Sequence, residues 1–165
     1  AYDAKVRGAI NLRKTFAPQD FFILFSSSAA IFGSAGQASY AAANATLNAL
    51  ALKWSEEGEN VLSIQWGAWS DDGMAIRHNA VKQAEAAGFG SITNAHGLNV
   101  LDKLLSSSKK GVVLASPIVW KSVFLKTPLI SELQKNIIRS ISWFHLKLME
   151  SRLVVQVGTL FTIIR

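Results

Sequence analysis

Three short uncharged runs most restrict how this chain can fold: FFILF at 21–25, VLSIQW at 61–66 and GVVLAS at 111–116. None shows a full in-out alternation ending in charge. That is the pattern of strands covered on both faces, as in a parallel sheet. Between the first two runs lies a stretch rich in Ala, Leu and Asn. It extends from Gln37 or Ala38 to Glu57, and Gly58 follows as a stop. The pattern predicts a helix there, and its many alanines predict close packing against a neighbour. Residues 2–14 carry Val6, Ala9, Ile10 and Arg13 near helical spacing, and Pro18 and Asp20 mark the turn after them. The segments around Gly33 and Gly36 and over 66–74 read as loops. Further helices are expected over 76–87, ending at Gly88, and over 94–106, with Thr93 as N-cap. Strands and helices alternating in this order imply parallel pairing with right-handed crossovers, an α/β fold.

Composition narrows the function. The 165 residues suffice for one compact domain, and half of them are apolar. With no cysteine, disulfides, thiolate nucleophiles and cysteine-ligated zinc are excluded. The opening AYDAKVRGAI has neither the apolar core of a signal peptide nor an initiator Met, which points to a cytoplasmic fragment. The net charge of +6 is unevenly spread: residues 1–134 hold 12 Lys/Arg against 10 Asp/Glu, and residues 135–165 hold 5 against Glu150 alone. A nearly balanced body lacks the basic stripe that a phosphate backbone requires, so no nucleic acid is expected as a partner. The tail ends in LVVQVGTLFTII, 12 residues, whereas a membrane-spanning helix needs about 20. Residues 135–165 are read as a divergent tail: an extra helix and strand, a linker, or a gene-model extension.

Parallel α/β sheets place ligands at the carboxyl ends of their strands. The first run ends in Ser26, Ser27 and Ser28. Tyr40 follows near the start of the long helix, and Asn44 lies one turn later on the same face. A tyrosine hydroxyl can protonate a developing alkoxide if a nearby ammonium lowers its reference pKa of about 10. A serine hydroxyl can hydrogen-bond the same oxygen. Together they suit hydride addition to a ketone, the hydride coming from a nicotinamide. Taken singly, each has an ordinary explanation: Ser27 as a turn residue, Tyr40 as a half-buried aromatic, Asn44 in a local hydrogen bond, Lys5 on a solvated helix face. His78, His96 and His145 have no metal-ligand spacing, Asp71 and Asp72 read as a solvent-facing loop pair, and no metal is expected.

FFILFSSSAAIFGSAGQASYAAANATLNALA (21–51), followed by LSIQWGAWSDDGMA (62–75), closely resembles the ketoreductase domains of polyketide synthases and animal fatty-acid synthases, members of the short-chain dehydrogenase/reductase superfamily. AKVRGAINL (4–12), PIVWKSVF (117–124) and PLISEL (128–133) extend the resemblance over residues 1–134. It implies the C-terminal half of a Rossmann-like parallel sheet with flanking helices. Tyr40 then matches the proton donor and Ser27 the serine that polarises the carbonyl. Lys5 matches the lysine that lowers the tyrosine pKa and supports the proton relay, and Asn44 the helix asparagine. Most short-chain dehydrogenases resemble this pattern with Lys four residues after the Tyr. Asn44 at that position, with Lys5 upstream, is the exchanged arrangement of the synthase enzymes. Gly67 and Ala68 fall where the family meets the nicotinamide, and Trp69 and Met74 in its substrate-facing segment. Phe32 stands where a Trp would mark one product hand.

The implied activity is NADPH-dependent reduction of a β-ketoacyl group carried by an acyl carrier protein, alongside other synthase domains. The Gly-rich turn that holds a dinucleotide's pyrophosphate is not found in these residues, and the family places it upstream. A sheet edge is therefore expected to lie open. The alternative is an inactive ketoreductase remnant that serves as a structural or interaction module. A free-standing dehydrogenase for small alcohols or sterols is disfavoured by Asn44.

Overall fold

The computed structural model describes residues 1–16, 20–71, 85, 88–119 and 154–156. They fall into two compact units, one containing Ala1–Trp66 and Leu98–Ala115, the other Gly67–Gly97 and Ser116–Val154.

The first unit opens with a π-helical turn, Asp3–Arg7, that runs into α1 (Gly8–Phe16). The helix expected over 2–14 is present, but its first turn is wider than an α-helix, a feature that apolar spacing does not reveal. β1 (Phe22–Ser27) leads through a four-residue α2 (Ala29–Phe32) to the long α3 (Ala38–Glu56). β2 (Val61–Trp66), α4 (Asn94–Leu105) and β3 (Gly111–Ala115) follow. A short β4 (Val154–Gln156) falls in the tail and completes the sheet order β1-β2-β3-β4. The helix expected over 76–87 lies outside the described residues except for Glu85, which is helical.

β1 pairs with β2, and β2 with β3, both in parallel. In this register Ser27 lies opposite Trp66, and Trp66 opposite Ala115, so the three carboxyl ends align. β2 and β3 are buried along their whole length, as continuous uncharged runs require, because each has a neighbour on both edges. β1 is outermost and leaves Phe25 51% exposed.

α3 covers one face of the sheet. Leu47, Ala51 and Trp54 pack with Leu24, Val61 and Val112, and α1 adds Ala9. Ala43 and Ala51 are fully buried, and their small side chains let the helix approach the strands closely. Ala42, Ala45 and Ala49 are exposed, so the close packing expected from the alanines holds on one side of α3 only. Polar bonds pin the same interface. Ser63 Oγ donates to Asn48 Oδ1 at 2.8 Å, and Ser26 Oγ donates to the Asn44 carbonyl at 3.1 Å. A slip of register would bury these groups without partners, at about 1–3 kcal/mol each.

In the second unit, the segment leaving β2 is stitched to residues 92–94. Ile92 N–H donates to the Ala68 carbonyl at 2.8 Å, and Ser70 N–H donates to the Ile92 carbonyl at 2.9 Å. Trp69 and Ile92 form a parallel bridge. Thr93 caps α4 as expected, its Oγ1 accepting from His96 N–H at 3.2 Å. Asp71 is exposed, yet it is not an idle loop residue: its Oδ2 accepts from Asn94 N–H at 2.8 Å. That hydrogen bond, with a second from Ser70, holds the Asp71 carboxyl below its ordinary pKa.

Candidate active site

The first unit gathers four of the expected residues around the carboxyl end of β1. Ser26 turns inward, and its hydroxyl reaches the Asn44 carbonyl. Ser27 follows it and is half-buried. Ser27 Oγ accepts from Ala29 N–H at 3.2 Å, which uses a lone pair and leaves the serine's own O–H to donate. Tyr40 sits in the first turn of α3, half-buried. Asn44 is fully buried one turn later, and its Nδ2 donates to the Tyr40 carbonyl at 2.8 Å. Its Oδ1 has no partner among the described residues.

Lys5 enters from the π-helical turn, where the wider coil re-aims side chains. Its Nζ donates to the Phe25 carbonyl at 2.8 Å and lies 5.6 Å from the centre of the Tyr40 ring. Burial lowers the Lys5 pKa from its ordinary 10.5. The structure thus brings Lys5, Tyr40 and Asn44 together, with Ser27 next to the serine that touches Asn44.

Two contributors carry no signature in the sequence. The Phe25 carbonyl is a backbone atom, and its place at the end of an apolar run says nothing about an ammonium. Ser26 belongs to the serine triplet, but only pairing and helix packing show that its side chain faces α3.

Every side-chain group here except Asn44 Oδ1 is able to donate a proton or hydrogen bond: the hydroxyls of Ser26, Ser27 and Tyr40, an ammonium and an amide. Such a set suits a carbonyl oxygen that gains negative charge. The donors also fit a dinucleotide. Lys5 uses one N–H on Phe25, and its remaining N–H groups suit ribose hydroxyls.

In the second unit, Gly67 is buried directly after β2. A Cβ at this position would lie 2.4 Å from Ser116 Oγ, so close packing alone requires glycine. The Ser116 hydroxyl is buried with no partner among the described residues, and spacing gave no reason to single it out. Ala68 is half-buried, its carbonyl committed to Ile92. Trp69 is half-buried as well, and Met74 lies outside the described residues.

Residues 1–71 match the family model of the KR domain. The chain is 43% identical over 93 residues to the 6-methylsalicylic acid synthase of Aspergillus niger, an alignment covering 54% of this chain and 5% of that protein. It is 37% identical over 143 residues to the Cluster 41 polyketide synthase of Aspergillus flavus, covering 83% of this chain and 13% of the relative. Among solved structures it is similar to A-type ketoreductases from a modular polyketide synthase, with a TM-score of 0.69 and 33% identity, covering 74% of this chain and 26% of that one. The chain therefore spans a small part of each of these three proteins.

Proposed function

We propose that this chain, which belongs through its KR-matching residues 1–71 to the ketoreductase domains of polyketide synthases, carries the proton-donating half of a β-ketoacyl reductase. Its substrate is a β-ketoacyl thioester held by an acyl carrier protein, and its product is the β-hydroxyacyl thioester. The reductase portion is residues 1–134, with 135–165 as a divergent tail or linker, in a cytoplasmic synthase. Among the described residues no helix is long and apolar enough to cross a membrane.

One observation carries this reading: the Lys5 ammonium, held by the Phe25 carbonyl at the catalytic end of β1, stands over the Tyr40 ring. A bound NADPH supplies the hydride that adds to the ketone carbon. Tyr40 gives its phenolic proton to the oxygen that becomes the alcohol. Ser27, its own O–H still available, hydrogen-bonds the same oxygen. The positive charge of Lys5 offsets the charge left on Tyr40, and its N–H groups begin the path by which the proton returns. Asn44 steadies the turn that carries Tyr40. By the resemblance, Gly67 and Ala68 are assigned to the nicotinamide and Trp69 to the acyl chain; Met74, assigned with Trp69, lies outside the described residues.

The test is NADPH consumption with a β-ketoacyl thioester, in a domain that also supplies the dinucleotide-binding turn. Tyr40→Phe should remove turnover, a loss of about 10²–10⁴, and leave NADPH affinity nearly intact. Turnover within about tenfold of the native rate would contradict the role of Tyr40.

A second reading, an inactive remnant acting as an interaction module, draws on the lack of a G-x-G-x-x-G turn in these residues. Titration of the chain with NADPH, followed by nucleotide fluorescence, bears on it: binding at about micromolar strength would eliminate the remnant.

A further inference from the structure

Gly97 sits inside α4, where glycine weakens a helix relative to alanine. Its φ lies outside the left-handed range, so the backbone does not demand glycine. Space does. A Cβ at position 97 would lie 2.1, 2.5 and 2.8 Å from Cη2, Cζ3 and Cζ2 of the Trp69 indole. The ring rests directly on the helix backbone. Three further contacts hold it there: the Trp69–Ile92 bridge, the Ser70–Ile92 hydrogen bond and the Asp71 side chain on Asn94 N–H. Trp69 itself lies three residues beyond β2, at the carboxyl end where parallel sheets bind ligands, and is half-exposed.

We propose that Gly97 is a positioning residue for the acyl substrate: by lacking a side chain it seats the Trp69 indole, and the seated indole forms one wall of the acyl path. The identity of the ligand rests on the ketoreductase reading; the seating rests on packing alone. Alanine at 97 would push the ring outward by more than a rotamer adjustment absorbs, because three ring carbons meet the new methyl at once. A misplacement of this kind can cost up to about a hundredfold in rate.

The experiment labels the chain with 5-fluorotryptophan and follows it by fluorine NMR, with Trp69→Phe assigning the Trp69 resonance. The probe is the N-acetylcysteamine thioester of 3-oxobutanoate. The Trp69 resonance should move as this thioester is added to the native chain. In Gly97→Ala that resonance should start at a different shift and need at least about tenfold more thioester to move, while the Trp54 and Trp66 signals stay in place. An unchanged starting shift and midpoint in Gly97→Ala would overturn the proposal, as would a native Trp69 signal that ignores the thioester. Should Gly97→Ala fail to fold, the double variant G97A/W69L must recover the folded spectrum, and failure to do so also counts against the seat. Turnover measured in a domain that also supplies the dinucleotide-binding turn separates the two ideas. A Trp69 signal that titrates while that domain shows no reductase activity keeps the seat and removes the reductase reading.

Discussion

Lys5 shows how the fold makes a site from a residue that is ordinary in the sequence. It is far from Tyr40 along the chain, and no spacing rule connects them; only the resemblance to ketoreductases singled it out. The structure supplies the physical link, a half-buried ammonium held by the Phe25 carbonyl over the Tyr40 ring. Burial penalises the charge and lowers the pKa below 10.5. The consequence for stability has a definite sign. Below the lowered pKa both the folded and unfolded states hold the proton, and the folded state bears the full penalty. Between the lowered pKa and 10.5 the unfolded chain still binds the proton that the folded chain has released, so folding gains stability as pH rises. Native chain and Lys5→Met should therefore diverge with increasing alkalinity, the native chain gaining relative to the variant until pH passes 10.5. Urea unfolding of both across this range checks it; parallel pH courses would show that Lys5 titrates alike in both states.

At the scale of elements, the site depends on how α1 and α3 are joined, because the turn before α1 carries Lys5 and the first turn of α3 carries Tyr40. Arg13, near the end of α1, clamps them. Its Nε donates to Glu59 Oε1 and Oε2 at 2.9 and 3.1 Å, and its terminal nitrogen bonds Glu57 and Glu59. The guanidinium also lies 4.7 Å above the Trp54 ring. Arg13→Ala should cost about 1–2 kcal/mol, for a partly exposed ionic cluster with a cation–π contact. Arg13→Lys should restore less than half, because an ammonium cannot reproduce the fork. Glu59 is held below its ordinary pKa first by the Arg13 hydrogen bond, so the clamp is present above 4.5 and lost as pH falls through the lowered value. Denaturant midpoints at neutral and acid pH measure all three effects. The same elements show what the sequence discloses. The three strands match the three uncharged runs within two residues, and in β2 and β3 burial along the whole strand excludes charge. Arg13 stood at the edge of the apolar spacing of α1, and the Trp54 ring accounts for it. α2 was not foreseen, since AAIF is too short to show a period and lies among loop residues. The π-helical turn leaves the order of residues unchanged, so no pattern marks it.

At the scale of the whole molecule, the outer edge of β1 decides how the chain behaves in solution. Among the described residues no strand pairs with that edge. Phe21 and Phe25 are both more than half exposed there, and Leu12 and Phe16 of α1 add further exposed apolar surface. Backbone groups of an edge strand beside apolar side chains form a template for another chain, and here Lys5 occupies the edge only at the Phe25 carbonyl. The net charge of +6 opposes association through mutual repulsion, and salt screens that repulsion. These two effects make opposite demands on ionic strength, which allows them to be told apart. The native chain should self-associate along a concentration series, and more strongly as salt is raised. Phe21→Lys removes apolar surface at the start of the edge and adds a charge that would be buried by pairing, so it should lower association at every salt concentration. Phe21 precedes β1 and is 55% exposed, so the substitution should leave unfolding nearly unchanged. Light scattering coupled to size-exclusion chromatography reads the result. Equal association of native and Phe21→Lys chains would move the contact away from β1, and association that weakens with salt would identify an ionic contact in place of an apolar edge.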